Sequence, residues 1–489
     1  MSYKMNIERT QATFLPSVID DYVGPNDRVR VYDAFVEALN FSELGISLIP
    51  SGGAESYYPK QMVKLIIYGY SYGDRSSRSM ERACHHNLSY IWLMSNLKPD
   101  YRTIARFRSD HKEAVKKILK QCARLCIKME LIEGNEIFTD GSKFRANASM
   151  DKIYSQEHLE KELKNLDDHI DRLVEESEKI DKQEDAQASK VKTKEEIAEK
   201  EQLRTEIQEY LEFMKTEGKN FLNTTDPDSV RAKTRQGTHA VHNVQTTTDG
   251  KHGLIIHAES VGTSNDNPHL PSQVEAAMET LQKKVKSCTA DAGYYSPEQL
   301  PKIDEEIMVI VPTPQDAQQE KNPTPADPFA KNNFQYDKEL NAYICPAGKQ
   351  LPFRGQDTAD PRRLIYQANA HDCRECPSRE RCTTSTKGRR IIRYTHEEFR
   401  QHLQEVYRSE EAQKIYRRRK IIAETPHGHI KKNLQAGQFL LRGKPKVDAE
   451  VSVLATCFNI VRMMTIKGIA PLIAQLKEIA NASRLLKMT

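Results

Sequence analysis

The segment that most limits the fold is an acidic heptad stretch lodged between two strand-like runs. Leu159, Leu163, Leu166, Ile170 and Leu173 step by 4, 3, 4 and 3, the seam of a helix that packs against another. After the polar stretch KIDKQEDAQASKVKTKEE, a second seam follows at Leu203, Ile207, Leu211 and Met214. Two antiparallel helices are expected, a coiled-coil-like hairpin inserted over residues 155–220. Upstream the chain reads NEIFTDGSKFRANAS, where the apolar pair Ile137-Phe138 runs into Asp140. Downstream, THAVHNVQTTTDGKHGLIIHAESV holds two strand-like runs around the turn pair Asp249-Gly250. The hairpin is therefore spliced in after the first strand of a sheet.

The sheet continues beyond it. KKVKSCTADAGYYS gives a short strand ending at Asp291, with a helix start at Ser296-Pro297, and IMVIVP gives a buried strand closed by Pro312. This order predicts an α/β protein with a mixed sheet and flanking helices. Residues 131–154 and 221–312 supply the first part of that core, and the helices of 396–489 complete it. Residues 313–395, rich in Pro and weak in periodicity, read as a loop-rich insertion carrying a cysteine cluster. Residues 1–130 read as a helical N-terminal domain, broken at Gly73-Asp74 and Pro99-Asp100. Arg75, Arg78, Arg82, Arg102, Arg106 and Arg108 give it a basic face suited to duplex DNA.

The net charge of +4 conceals an asymmetry. Residues 156–218 hold 20 acidic and 11 basic side chains, a local balance of −9 that leaves +13 for the remainder. Basic clusters recur there, including RRRK at 417–420 and KGRRIIR at 387–393. Such clusters suit a polyanion, since each neutralised phosphate releases counterions. No apolar run approaches the ~20 residues that span a bilayer, and MSYKMNIERTQ lacks a signal-peptide core. A cytoplasmic protein with no membrane partner is expected.

The chemistry is carried by acids. Asp140 and Asp291 each end an apolar run with a glycine close behind. Strands lying side by side would bring the two carboxylates together, a costly arrangement unless a cation holds them. Oxygen ligands without a neighbouring His or Cys favour magnesium or manganese over zinc. A third acid, Glu424, stands in IYRRRKIIAETPHGHIKKN among Arg417, Lys420 and Lys431. Pro426 and Gly428 weaken a helix interior and predict a bend there.

Together FTDGSKFRANAS, TADAGYYS and YRRRKIIAETPHGHIKK resemble the DDE transposases of bacterial insertion sequences. The resemblance is to the branch marked by a Tyr-Arg-Glu-Lys signature, which falls here on Tyr416, Arg419, Glu424 and Lys431. The gap of four residues between Arg419 and Glu424 is one longer than in the best-known form. It implies an RNase H-like core in which Asp140, Asp291 and Glu424 hold two Mg2+ or Mn2+ ions for phosphodiester cleavage and strand transfer. Tyr416, Arg419 and Lys431, with Arg417 and Lys420, would then face the DNA backbone, and Gly141 would let substrate approach Asp140. The implied partners are double-stranded DNA, at the element's terminal inverted repeats and at the target, and a second copy of the chain in a synaptic complex. Asn147, His239, His242 and Asn243 read chiefly as hairpin residues near the site. The alternatives are a decayed or domesticated DNA-binding derivative and a nuclease of the same fold without strand transfer.

Nine cysteines in such a chain do not suggest disulfides. Five read as small core residues. Cys345, Cys373, Cys376 and Cys382 form a candidate structural zinc site, with reduced thiols as the alternative and His371 as a substitute ligand.

Overall fold

The first strand does not stop at its acid. In the computed structural model, β1 spans Glu136–Arg145, so Asp140 lies mid-strand rather than at a strand end. The reason is its partner. The long strand β5 (Gly237–Asp249) pairs antiparallel with β1 from Ile137↔Asp249 to Arg145↔Val241, supplying ladder bonds along almost its whole length. The structure describes residues 18–49, 57–181, 187–234, 237–322 and 327–485. They form two compact units, one of residues up to 266 with 272–285 and 419 onward, the other of 267–271 and 286–418.

In the first unit, β4 (Val230–Thr234) and β6 (Ile255–Val261) pair with successive stretches of β5, both antiparallel. β5 is polar yet buried: Asn243, Gln245 and Thr246 through Asp249 are all at most 1 % exposed. Such groups must be satisfied internally. Thr139 and Thr247 hydroxyls meet at 3.0 Å, and the Asp249 carboxylate accepts from the Gly134 and Lys251 amides at 2.7 and 2.9 Å. Glu259 on β6 has its carboxyl pushed down to about 2, chiefly by the His257 imidazole, while Gln273 Nε2 donates to it at 2.7 Å. Because the folded value lies below the 4.5 usual for a glutamate, this stabilisation is present above that pH and lost as pH falls toward 2. Glu259→Gln should therefore flatten the fall in stability between pH 5 and 2 by about 2–3 kcal/mol, read by urea denaturation across pH.

Between β1 and β5 comes the inserted hairpin. β2 (Ile153–Ser155) and β3 (Phe221–Asn223) pair antiparallel at its base, and helices Gln156–Asp181 and Gln187–Thr216 form its arms. Leu159, Leu166, Ile207, Leu211 and Met214 make its buried seam, and Arg204 Nε meets Asp167 Oδ1 at 2.6 Å across the arms. Leu203 departs from the expected seam and is exposed. Part of the polar stretch between the arms, residues 182–186, lies outside the described residues.

Among the described residues of the N-terminal region, eight α-helices run from Val29–Glu37 to Ile118–Lys128. Two of the six arginines read as a basic face are structural. Arg75 is buried, with Nη1 donating to Glu450 Oε1 at 3.1 Å and to the Gln438 carbonyl at 3.0 Å. Arg108 donates to the Arg75 carbonyl at 3.0 Å and to the Tyr70 hydroxyl at 3.2 Å. Arg78, Arg82, Arg102 and Arg106 are exposed. Glu450 belongs to the helix Lys444–Lys467, which packs on β6 and on helix Pro59–Ser71. That helix is long and apolar enough to cross a bilayer by length and composition, although the sequence offers no uninterrupted apolar run. Its most apolar window is 78 % buried within the fold, and it carries the buried acids Asp448 and Glu450, so it reads as a core helix.

In the second unit, β7 (Ser287–Thr289) and β8 (Met308–Ile310) are parallel. The helix expected after Ser296-Pro297 is absent from the described residues between them, which hold only the 3-10 turns Ala292–Tyr294 and Leu300–Lys302. Pro297 and Pro301 each lack the amide that a continuing helix would need. The stretch read as loop-rich holds a five-stranded antiparallel meander: β9 (Gln335–Asp337), β10 (Ala342–Ile344), β11 (Gln350–Gln356), β12 (Arg363–Gln367) and β13 (Arg390–Tyr394). Two of those strands are three residues long, too short to show an alternation in sequence.

Candidate functional site

Alternation along β1 puts Asp140, Ser142 and Phe144 on one face, and the helix Glu410–Lys432 supplies what they meet. This helix runs unbroken through Pro426 and Gly428, against the bend expected there. Ala423, Pro426, His427 and Ile430 recur at helical spacing and are all buried, and that apolar stripe outweighs the amide lost at Pro426.

Arg419 lies between two of the acids. Its Nη1 is 3.7 Å from Asp140 Oδ1 and its Nη2 is 3.4 Å from Glu424 Oε1. The Arg419 and Asp140 side chains are 14 and 15 % exposed, whereas Glu424 is 47 % exposed. One cation thus already spans both carboxylates, with Asp140 set deep and Glu424 toward solvent.

Behind Asp140 stands a residue that the acid-centred reading missed. His427 Nε2 is 3.0 Å from Thr246 Oγ1, 3.3 Å from the Asp140 carbonyl and 3.8 Å from Asp140 Oδ2. The site is therefore not free of histidine, as the oxygen-only donor set had assumed. Burial first, then the Lys431 charge, pushes the imidazole down to about 4, so it is neutral at pH 7 and acts as a hydrogen-bonding spacer. One turn further on, Lys431 Nζ donates to Ser142 Oγ at 2.6 Å and to the Lys143 carbonyl at 2.8 Å, and sits 4.4 Å from the Phe144 ring centroid. Its ammonium fastens the helix to β1.

Gly141 has a steric role different from the one expected. Its Cα faces the opposite side of the sheet, where a Cβ would come within 2.5 Å of Asp266 Oδ1 and 2.6 Å of Gln245 Nε2. Asp266 itself accepts from Asn243 Nδ2 and Gln245 Nε2 at 2.8 and 2.7 Å. The glycine makes room for this polar cluster. Of the other neighbours, His242 is buried against Asp226 at 2.9 Å, and Asn147 Nδ2 donates to the Leu440 carbonyl at 2.8 Å. His239 is half-buried on β5.

Asp140, Arg419, Glu424 and Lys431 are thus gathered in the first unit, with Lys420 exposed on the same helix. Asp291, Tyr416 and Arg417 belong to the second. There Asp291 follows β7 and caps the turn Ala292–Tyr294, with Oδ1 accepting from the Gly293 amide at 2.8 Å. Tyr416 packs edge-on to Tyr407 at 5.1 Å, and Arg417 is exposed. Among the described residues, no three His, Cys, Asp or Glu side chains already form a metal-binding group.

A family model described as "Transposase DDE domain" matches residues 344–464, and one described as "Transposase domain (DUF772)" matches residues 17–110. Two stretches of the chain thus match transposase domain models. Both matches are consistent with a DDE transposase of an insertion sequence. The DDE match takes in Arg419, Glu424, His427 and Lys431 together with the four clustered cysteines; Asp140 and Asp291 lie upstream of it. No curated protein and no solved structure matches the chain.

Proposed function

We propose that this transposase-domain protein cleaves and joins DNA at the ends of its own insertion sequence, with Asp140, Asp291 and Glu424 as metal-holding residues of an RNase H-like core. The observation that carries the reading is Arg419 spanning Asp140 and Glu424. Acids that share one guanidinium fit a site built around positive charge, and carboxylate oxygens suit Mg2+ or Mn2+. The His427 Nε2 that faces Asp140 is already engaged by Thr246 Oγ1 and the Asp140 carbonyl, which leaves carboxylate oxygens as the donors there. When bound, two such ions supply an activated nucleophile and a stabilised leaving oxygen.

The chain's own residues do the rest. His427 and Thr246 hold the Asp140 backbone, and Lys431 fixes the next residues of β1, so the deep carboxylate keeps one orientation. Arg419 limits repulsion between the acids and presents its guanidinium to a phosphate. The exposed Arg417, Lys420, Arg78, Arg82, Arg102 and Arg106 offer charge to duplex DNA. A second copy of the chain would bring the element's other end to the reaction, and the work is done in the compartment that holds the DNA.

The test is cleavage and end-joining of DNA carrying the element's terminal repeats, with Mg2+ and with EDTA. Wild-type protein should cut and join only with the metal. Asp140→Ala, Asp291→Ala and Glu424→Ala should bind the ends without cutting them. Equal cutting by any of the three removes that residue from the site, and cutting without joined products reduces the activity to a nuclease. His427→Ala should lower cleavage by about 10–100-fold and raise the Mg2+ concentration needed, the size of effect seen when a ligand's support is lost. Partial rescue by His427→Gln, which keeps a hydrogen-bonding group, would separate positioning from bulk packing.

A further inference from the structure

Three segments of the second unit bring four cysteines to one place. Cys345 follows β10, Cys373 and Cys376 lie in and just after the short helix Ala370–Arg374, and Cys382 ends the turn Arg379–Cys382. All four line a single cavity of about 30 Å3 together with Leu351 and Arg389. A space of ~10–15 Å3 is enough for one water-sized occupant. None of the four is in a disulfide, and each is only partly buried.

The backbone around them treats sulfur as an acceptor. The Lys349 amide donates to Cys345 Sγ at 3.3 Å, and the Arg389 amide donates to Cys373 Sγ at 3.3 Å. At Cys345 the geometry comes from a closed turn: the Gly348 amide donates to the Cys345 carbonyl at 2.8 Å and the Cys345 amide to the Lys349 carbonyl at 2.9 Å. Gly348 supplies the φ of +75° that this turn needs. A neutral thiol in an apolar pocket is a poor acceptor, whereas a metal-bound thiolate is steadied by such amides. Arg389 adds charge of the right sign. It lines the cavity and anchors its guanidinium on the Cys382 and Phe329 carbonyls, both at 2.8 Å, while its buried Nε has no hydrogen-bond partner.

We propose that Cys345, Cys373, Cys376 and Cys382 bind one Zn2+ as a structural site, separate from the acids of the transposase chemistry. Binding exchanges four thiol protons for one ion, giving a tetrathiolate of net charge −2 beside Arg389. It draws the four sulfurs in to about 2.3 Å from the metal. The need for it is visible in the meander β9–β13, whose buried cluster among the described residues is Phe334, Tyr343, Leu351, Tyr366, Ala368 and Ile391. Cys345, Cys373 and Cys382 pack against that cluster, so the ion would tie the turns to a core too small to hold them alone.

The full-length chain, expressed with zinc and washed with EDTA to strip carboxylate-held ions, should retain one zinc per chain by elemental mass spectrometry. Titration with a mercurial should release that zinc as four thiols react. Cobalt added to the reduced apo-protein should give the intense thiolate-to-metal absorption of a tetrahedral sulfur site. Cys373→Ser and Cys376→Ser should lose the zinc, and Asp140→Ala should keep it. The proposal is overturned if wild-type protein retains far less than one zinc and shows no cobalt–thiolate band. A disulfide among the four in freshly isolated protein, or zinc that survives both serine variants, overturns it equally. The mercurial and cobalt readings use wild-type chain, so a variant that fails to fold leaves the answer intact, and loss of DNA cleavage has no bearing on it.

Discussion

Glu424→Gln is expected to reduce metal-dependent DNA cleavage by about 10³-fold or more while leaving the folded protein as stable as before. The two halves of this expectation come from one geometry. Glu424 is 47 % exposed and meets Arg419 at 3.4 Å, a near-surface pair of the kind worth ~0–1 kcal/mol. Its neutral isostere keeps the shape and the helix. What it removes is one negative charge facing the shared guanidinium and an anionic oxygen that would hold metal. Asp140→Asn should cost as much activity, but it also alters a deep group that borders His427 and Arg419. Glu424→Gln is thus the cleaner discriminator: unchanged denaturation with lost cleavage marks chemistry, and retained cleavage removes Glu424 from the proposed triad.

The largest stability effect should come from Arg75. Arg75→Ala is expected to destabilise the first unit by about 3–5 kcal/mol, because a buried charge loses its partner. Glu450 is 1 % exposed and accepts from Arg75, from the Leu440 amide at 3.1 Å and from the Leu441 amide at 3.1 Å. Burial already lifts its carboxyl above the usual range despite the guanidinium. Without Arg75 that carboxylate keeps only the amides. Arg75→Ala with Glu450→Gln should therefore be more stable than Arg75→Ala alone, since the second change removes the stranded charge. Strictly additive losses in urea denaturation would refute this coupling.

Much of this architecture is legible in the residues, and the parts that are not have identifiable causes. The hairpin arms show because one repeated seam over many residues is hard to imitate. Glu424 shows because basic neighbours at helical spacing mark a face. A strand end is the expectation at Asp140 because nothing local announces that β5 pairs beyond it, where Gln245 stands opposite Gly141 and Asn243 opposite Lys143. Pro426 suggested a bend because propensity is a local signal, whereas the buried stripe Ala423, Pro426, His427 and Ile430 is a tertiary one. The same stripe could have revealed His427, three residues after Glu424 and four before Lys431. Arg75 looked like a surface cation because its partner lies 375 positions away. The meander leaves little trace in the sequence, since two of its five strands are three residues long and carry almost no pattern.

The paired strands β2 and β3 close the base of the long hairpin, with Ile153 opposite Asn223. Whatever is built beyond that clasp departs and returns through adjacent points, so its length is decoupled from the ladder that seats Asp140. Whole turns can be gained or shed from both arms in step at little entropic cost. Evolutionary drift in arm length, or a reporter grafted between the arms, would leave the reacting end of the molecule undisturbed.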